Sequence, residues 1–219
     1  MSLPLSSRPI PPPPAPSSAS LARVAAGLPP LTDEEFDDLL PAELWPMARV
    51  HFTPVEVARA AARMLAPVAG DRVLDIGAGA GKFCIAAALA HPGVTFVGVE
   101  KRLHLVALAR SMARQLGADN VELIHGNALT LDWSGYAGFY LFNPFGEDAE
   151  RGATGVDGEQ RHDPARFFRS ATRTRDRLAE MPAGTRVVTY HGLGKPAPRG
   201  FDVTEVTLSC GQLERWQRR

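Results

Sequence analysis

The chain has 219 residues, 45% of them apolar and 22% charged, with 24 Lys and Arg against 24 Asp and Glu. That length suits one domain with a single core and at most a small appendage. Formal neutrality speaks against a nucleic-acid binder held by a broad basic surface. The two cysteines, Cys84 and Cys210, exclude a disulfide framework and lack zinc-ligand spacing. They fit a reducing compartment. No apolar run approaches the ~20 residues of a membrane span, and Arg8-Pro9 with Pro11 to Pro14 stands where a signal peptide needs an apolar helix. The expected location is cytoplasmic.

Residues 1–20 carry seven prolines and several serines; they read as a disordered, polyproline-like tail. Residues 21–66 read as a helical segment, and residues 67–219 as the main domain. Thr32 and Glu35 form a capping box ahead of Phe36, Leu39 and Leu40, and Pro41 stops that helix. A second box, Thr53 and Glu56 with Pro54 at the first helical position, opens a helix to Leu65.

From Arg72 the pattern alternates between strand and helix. Arg72–Ile76 is a short apolar strand, 77–81 a glycine loop, and Lys82–Ala90 a helix of small residues. Val94–Val99 is a β-branched strand, and Arg102–Leu116 an amphipathic helix stopped by Gly117. Val121–His125 and Phe139–Phe142 are further strands. Asp163 caps a helix that runs to about Glu180, and Arg186–Tyr190 is a strand. Val203–Leu208 and Leu213–Gln217 read as a terminal hairpin. This order predicts an α/β fold: a Rossmann-like open, mostly parallel sheet with helices on both faces and a C-terminal antiparallel hairpin. The segment 191–200 shows no helix, so the order of the last strands stays open.

The sharpest signal is Asp75-Ile76-Gly77-Ala78-Gly79-Ala80-Gly81. A strand runs into glycines and then a helix, which is how open α/β sheets bring backbone close to a ligand. A dinucleotide loop would place its last glycine at 82, where Lys82 stands, and a P-loop would need Ser or Thr where Phe83 stands. An acid followed by Gly-x-Gly-x-Gly resembles motif I of the class I S-adenosylmethionine-dependent methyltransferases. Glu100 ends the next strand, 19 residues after Gly81, where a carboxylate can accept from both hydroxyls of a ribose. Gly126-Asn127-Ala128 is similar to the turn that reads adenine in that family, with Asn127 in place of an acid. His51-Phe52-Thr53-Pro54 resembles the Phe/Tyr-Thr-Pro segment that precedes motif I in many N-methyltransferases.

The resemblance implies S-adenosylmethionine as cofactor, held by Phe52, Thr53, Asp75, Gly77, Ala78, Gly79, Gly81, Glu100, Lys101, Asn127, Ala128 and Asn143. Within that set Thr53 serves as helix cap or as cap and cofactor contact. Asp75 either holds the loop or touches the ligand, and Lys82 is solvated or faces the cofactor carboxylate. Asn143-Pro144-Phe145 closes the fourth strand and is similar to the Asn-Pro-Pro-Tyr/Phe motif of N-methyltransferases, with one proline missing. It also resembles the Asn-aromatic pair of histone-lysine methyltransferases built on this fold. The implied catalytic residues are Asn143, Pro144 and Phe145, and the implied acceptor is a nitrogen on a protein side chain or another amine or amide. A protein or small-molecule acceptor is favoured over nucleic acid. Transfer to oxygen or carbon of a small molecule, or cofactor binding without transfer, are the alternatives. His51, His125 and His191 make no metal motif, and none is expected to bind one. Residues 146–162, rich in glycine and charge, read as a mobile lid or as plain disorder.

Overall fold

The computed structural model describes residues 32–149 and 163–219. The Pro-rich tail, residues 1–20, and most of the glycine-rich connection 146–162 lie outside them. The described chain opens with α1 (Asp33–Asp37), a 3-10 turn (Ala42–Leu44), α2 (Trp45–His51) and α3 (Val55–Leu65). The alternating part follows: β1 (Arg72–Ile76), α4 (Lys82–Ala90), β2 (Thr95–Glu100), α5 (Leu103–Gln115), β3 (Val121–His125), a 3-10 turn (Ala128–Thr130) and β4 (Gly138–Phe142). After α6 (Gly146–Ala149) and α7 (Pro164–Ala179) come β5 (Arg186–Tyr190), β6 (Phe201–Leu208) and β7 (Gly211–Arg218).

The seven strands form one sheet in the order β3-β2-β1-β4-β5-β7-β6. β1 to β5 run parallel, and β7 pairs antiparallel with both β5 and β6. β1 lies between β2 and β4 and is covered on both faces, which is why Val73, Leu74, Asp75 and Ile76 are all buried. One core joins α1 to α5 on one face of the sheet; the other gathers Trp133, Phe139, Leu178, Phe201 and Trp216 on the opposite face. The strand order reverses between β1 and β4, so a crevice opens beyond their carboxyl ends.

Two local results differ from the sequence expectation. Thr53 does not cap α3: Pro54 occupies the cap position without a side-chain bond, and the Val55 N–H donates to Asp33 Oδ1 at 2.9 Å. The helix α2 was not foreseen, because residues 42–51 carry no capping signal and Pro46 sits inside them; proline is tolerated there in the first turn. The segment 191–200 is helix-free, as the residues suggested. It carries the chain to the outer edge as β6, and β7 then returns between β6 and β5. No helix among the described residues is long and apolar enough to cross a membrane.

Candidate active site

The crevice is a cavity whose wall includes Phe52, Gly77, Gly79, Glu100, Lys101, Asn127, Ala128, Asn143, Pro144 and Phe145. These come from the ends of β1, β2, β3 and β4 and from the chain just before α3. Four residues of the implied cofactor set are not brought there. Asp75 is buried under the glycine loop, where its Oδ2 accepts from Cys84 Sγ at 3.5 Å. It neither lines the cavity nor holds the loop N–H groups. Thr53 is buried with its hydroxyl 3.1 Å from Tyr140 OH. Ala78 is turned into the packing of α5 and Leu123. Gly81 has φ +78°, and a Cβ there would lie 3.0 Å from Ala109 Cβ, so this glycine serves the turn and the close approach of α5.

Gly77 and Gly79 keep backbone open to the cavity. A Cβ on Gly77 would meet nothing within 4 Å, whereas one on Gly79 would press on the Phe52 ring at 3.1 Å. Phe52 is therefore seated on the glycine loop. The Gly77 and Ala78 N–H groups both donate to the Val99 carbonyl, at 3.0 and 3.1 Å, which ties the loop to the end of β2.

Among the described residues Glu100 is the only acid in the wall, and it is 5% exposed. Its Oε2 accepts from Gly79 N at 3.1 Å, and its Oε1 from Arg102 N at 3.0 Å and Arg102 Nη1 at 3.1 Å. A carboxylate offers about four lone-pair sites. Accepting from both hydroxyls of a diol therefore requires one of these three contacts to give way. Arg102, like Val50, His51 and Leu105, lines the cavity without having been singled out as a cofactor residue. Its adjacency to Glu100 was the available signal.

Burial pushes the Asp75 carboxyl up from 3.8 to about 7; the neighbouring Glu100 charge adds to this, and the Cys84 contact opposes it. Beyond β3, Asn127 Oδ1 accepts from Leu129 N at 3.0 Å, so this amide caps the 3-10 turn. The Ala128 carbonyl accepts from Trp133 Nε1 at 2.9 Å and from Arg177 Nη1 at 3.2 Å, which fixes the turn on α7. His125 Nε2 lies 3.0 Å from the Lys101 carbonyl and holds the ends of β2 and β3 together.

The turn after β4 is the most strained part of the wall. Asn143 has φ +39° and Phe145 φ +70°, both left-handed, on either side of Pro144. Such conformations cost about 1–3 kcal/mol each and persist only where the surroundings enforce them. Here the Asn143 N–H donates to the Tyr190 carbonyl at 3.2 Å, and the Asn143 carbonyl accepts from Gly146 N at 3.0 Å. Asp148, buried in α6, accepts from Arg166 Nε at 2.8 Å and from Arg166 Nη2, anchoring the turn to α7. Lys101 Nζ stands 5.6 Å from the Phe145 ring centre, joining the β2 end to this turn. Among the described residues no cluster of His, Cys, Asp and Glu could hold a metal ion.

Residues 67–145 match a family model described as a methyltransferase domain. The fold is shared with an RNA methyltransferase from Salinibacter ruber, solved with S-adenosyl-L-homocysteine. That match has 26% identity and a TM-score of 0.57, covering 75% of this chain and 92% of that one. The chain is an S-adenosylmethionine-dependent methyltransferase. TrmN from Thermus thermophilus shares the methyltransferase fold at 20% identity and TM-score 0.57, over 76% of this chain but only 49% of its own length. A precorrin-6y C5,15-methyltransferase from Geobacter metallireducens does so at 14% identity and TM-score 0.52, over 78% and 92% of the two chains. No curated protein matches the sequence. The cavity residues fit the cofactor: glycine backbone left open on one side, a buried carboxylate beside it and a pinned turn beyond β3.

Proposed function

We propose that this methyltransferase transfers its methyl group to a nitrogen of an amine or amide acceptor, on a protein side chain or a comparable group. The observation that carries the reading is the strained Asn143-Pro144-Phe145 turn at the wall of the cavity. Strain held by surrounding structure is a mark of function when it borders a ligand site. In this reading Glu100 accepts from the ribose diol, Asn127 and Ala128 meet the adenine, and Gly77 and Gly79 lie along the methionine end beneath Phe52. Lys101 borders both the cofactor and the acceptor.

S-adenosylmethionine, when bound, supplies a methyl group on a sulfonium that leaves as a neutral thioether. The chain has to align the acceptor nitrogen with that methyl–sulfur bond, and positioning of this kind is worth ~7–11 kcal/mol. Asn143 Oδ1 accepts one N–H and the Pro144 carbonyl a second, which leaves the nitrogen lone pair directed at the methyl carbon. As the N–C bond forms and the C–S bond breaks, the nitrogen gains positive charge, which the Phe145 ring face steadies by ~0.5–2 kcal/mol. Its extra proton then passes to solvent.

The test supplies methyl-labelled cofactor to an extract from cells lacking the enzyme and asks whether label enters protein, RNA or small molecules. The labelled atom is then identified. Nitrogen, with a turnover loss of about 10²-fold or more in Asn143→Ala at nearly unchanged cofactor affinity, supports the reading. Label on oxygen or carbon overturns it. A second reading, an RNA-borne acceptor, draws on the likeness to the Salinibacter enzyme; label in RNA alone selects it.

A further inference from the structure

We propose that residues 33–52 act as a strap over the cofactor, fastened by buried Lys82 to Asp33 and Asp37, and that this fastening sets the affinity for S-adenosylmethionine. The inference rests on the cofactor pocket and not on which atom accepts the methyl group.

Lys82 is the first residue of α4, immediately after the glycine loop, and its side chain is 3% exposed. That is a poor place for a cation. Burial removes its water, and a helix N-terminus repels positive charge. Two carboxylates of the strap offset this: Asp33 Oδ1 at 2.7 Å and Asp37 Oδ1 at 2.6 Å. The Phe36 ring adds a face 5.3 Å from the ammonium. Asp33 Oδ1 also accepts the Val55 N–H that opens α3. One carboxylate oxygen thus joins the glycine loop's helix, the start of the strap and the helix behind its end.

The other end of the strap is the cavity wall itself. Val50, His51 and Phe52 line the cavity, and Phe52 sits on Gly79. Between the two ends Phe36, Leu39, Leu40, Leu44 and Ala48 share the core with Phe83 of α4. Breaking a buried pair by removing one partner is costly, because it leaves the other charge uncompensated; the seated strap is the arrangement in which Lys82, Asp33 and Asp37 are paired. If the strap lifts, Lys82 regains water, so opening is not prohibitive. Apparent cofactor affinity then scales with the fraction of molecules whose strap is seated. By linkage, bound cofactor must seat the strap to the same degree.

The experiment uses the full chain and S-adenosylhomocysteine as probe. Calorimetric titration and amide hydrogen exchange are compared for wild type, Lys82→Met and Asp37→Asn. The expected result is binding weakened about tenfold or more in Lys82→Met and less in Asp37→Asn. Exchange should become faster across 36–52 in the free variants while β1 to β5 stay protected, and saturating probe should restore protection to the strap. Asp37→Asn retains the Asp33 pair and keeps the test open should Lys82→Met not fold. Binding within twofold of wild type in a folded variant whose strap exchanges faster overturns the coupling. Unchanged strap protection overturns the fastening. Failure of the wild type itself to bind the probe would instead count against the cofactor assignment.

Discussion

The side chain of Asn143 fills the space that a Cβ on Gly146 would occupy: that atom would lie 2.7 Å from Asn143 Cγ and 2.8 Å from its Oδ1. Real Cβ contacts do not come so close, so Gly146→Ala must turn the Asn143 amide away or shift the backbone of α6. The expected outcome is turnover reduced about tenfold or more on the acceptor identified by labelling. Cofactor affinity should stay within about twofold, because Asn143 stands on the acceptor side of the proposed site. Steady-state kinetics beside calorimetry check this; equal losses in both would mean that the whole pocket has moved.

Glu100 ties Gly79 to the start of α5 and is the one carboxylate of the wall among the described residues. Hydrogen bonds to a charged group are worth ~1.5–3 kcal/mol. Glu100→Ala should therefore weaken S-adenosylmethionine on the order of ten- to a hundredfold. Titration of a folded variant with unchanged affinity would remove Glu100 from the ribose.

Asp75 provides a pH signature. Its carboxyl is raised from 3.8 to about 7 in the folded chain, so between those values the native state holds a proton that the unfolded state has released. Stability then falls as pH rises from about 4 to about 7 and levels off above. Thermal unfolding of the cofactor-free protein should show this slope, and Asp75→Asn, which cannot ionise, should flatten it. Parallel curves for the two proteins would contradict the burial of an ionisable Asp75.

Thr53 separates two roles with one substitution. Its hydroxyl meets Tyr140 OH in the core and lies off the cavity wall. Thr53→Val leaves the Tyr140 hydroxyl without this partner and should cost about 1–3 kcal/mol in denaturant unfolding. Binding of S-adenosylhomocysteine should be unaffected; a fall in affinity above tenfold would restore Thr53 to the cofactor site.

What could be read from the residues was what local chemistry dictates. The run Val73 to Ile76 into Gly77 announced a buried strand and its turn, and Glu100 followed at the end of the next strand because the sheet places both at one edge. What could not be read depended on partners distant in sequence. Thr53, Pro54 and Glu56 have the spacing of a helix start, yet the cap comes from Asp33, 22 residues upstream. Lys82 could not be assigned because its partners, 45 and 49 residues before it, reach it only through the fold. Asp75 sits in the family's acidic position, but its neighbour proved to be Cys84, one turn into α4. The strain at Asn143 and Phe145 is a backbone property that no residue-level pattern signalled.

The proline between those two strained residues has a chemical consequence for how the protein ages. An exposed asparagine in an irregular turn ordinarily loses its amide when the next backbone nitrogen attacks the side-chain carbonyl and closes a cyclic imide. Asn143 is exposed and sits in such a turn, but the nitrogen that follows it belongs to Pro144 and carries no hydrogen. The usual route to aspartate is closed at a position where an added negative charge would line the cavity. Asn127, also exposed at the cavity but followed by Ala128, has no such protection, so prolonged storage should convert that amide first.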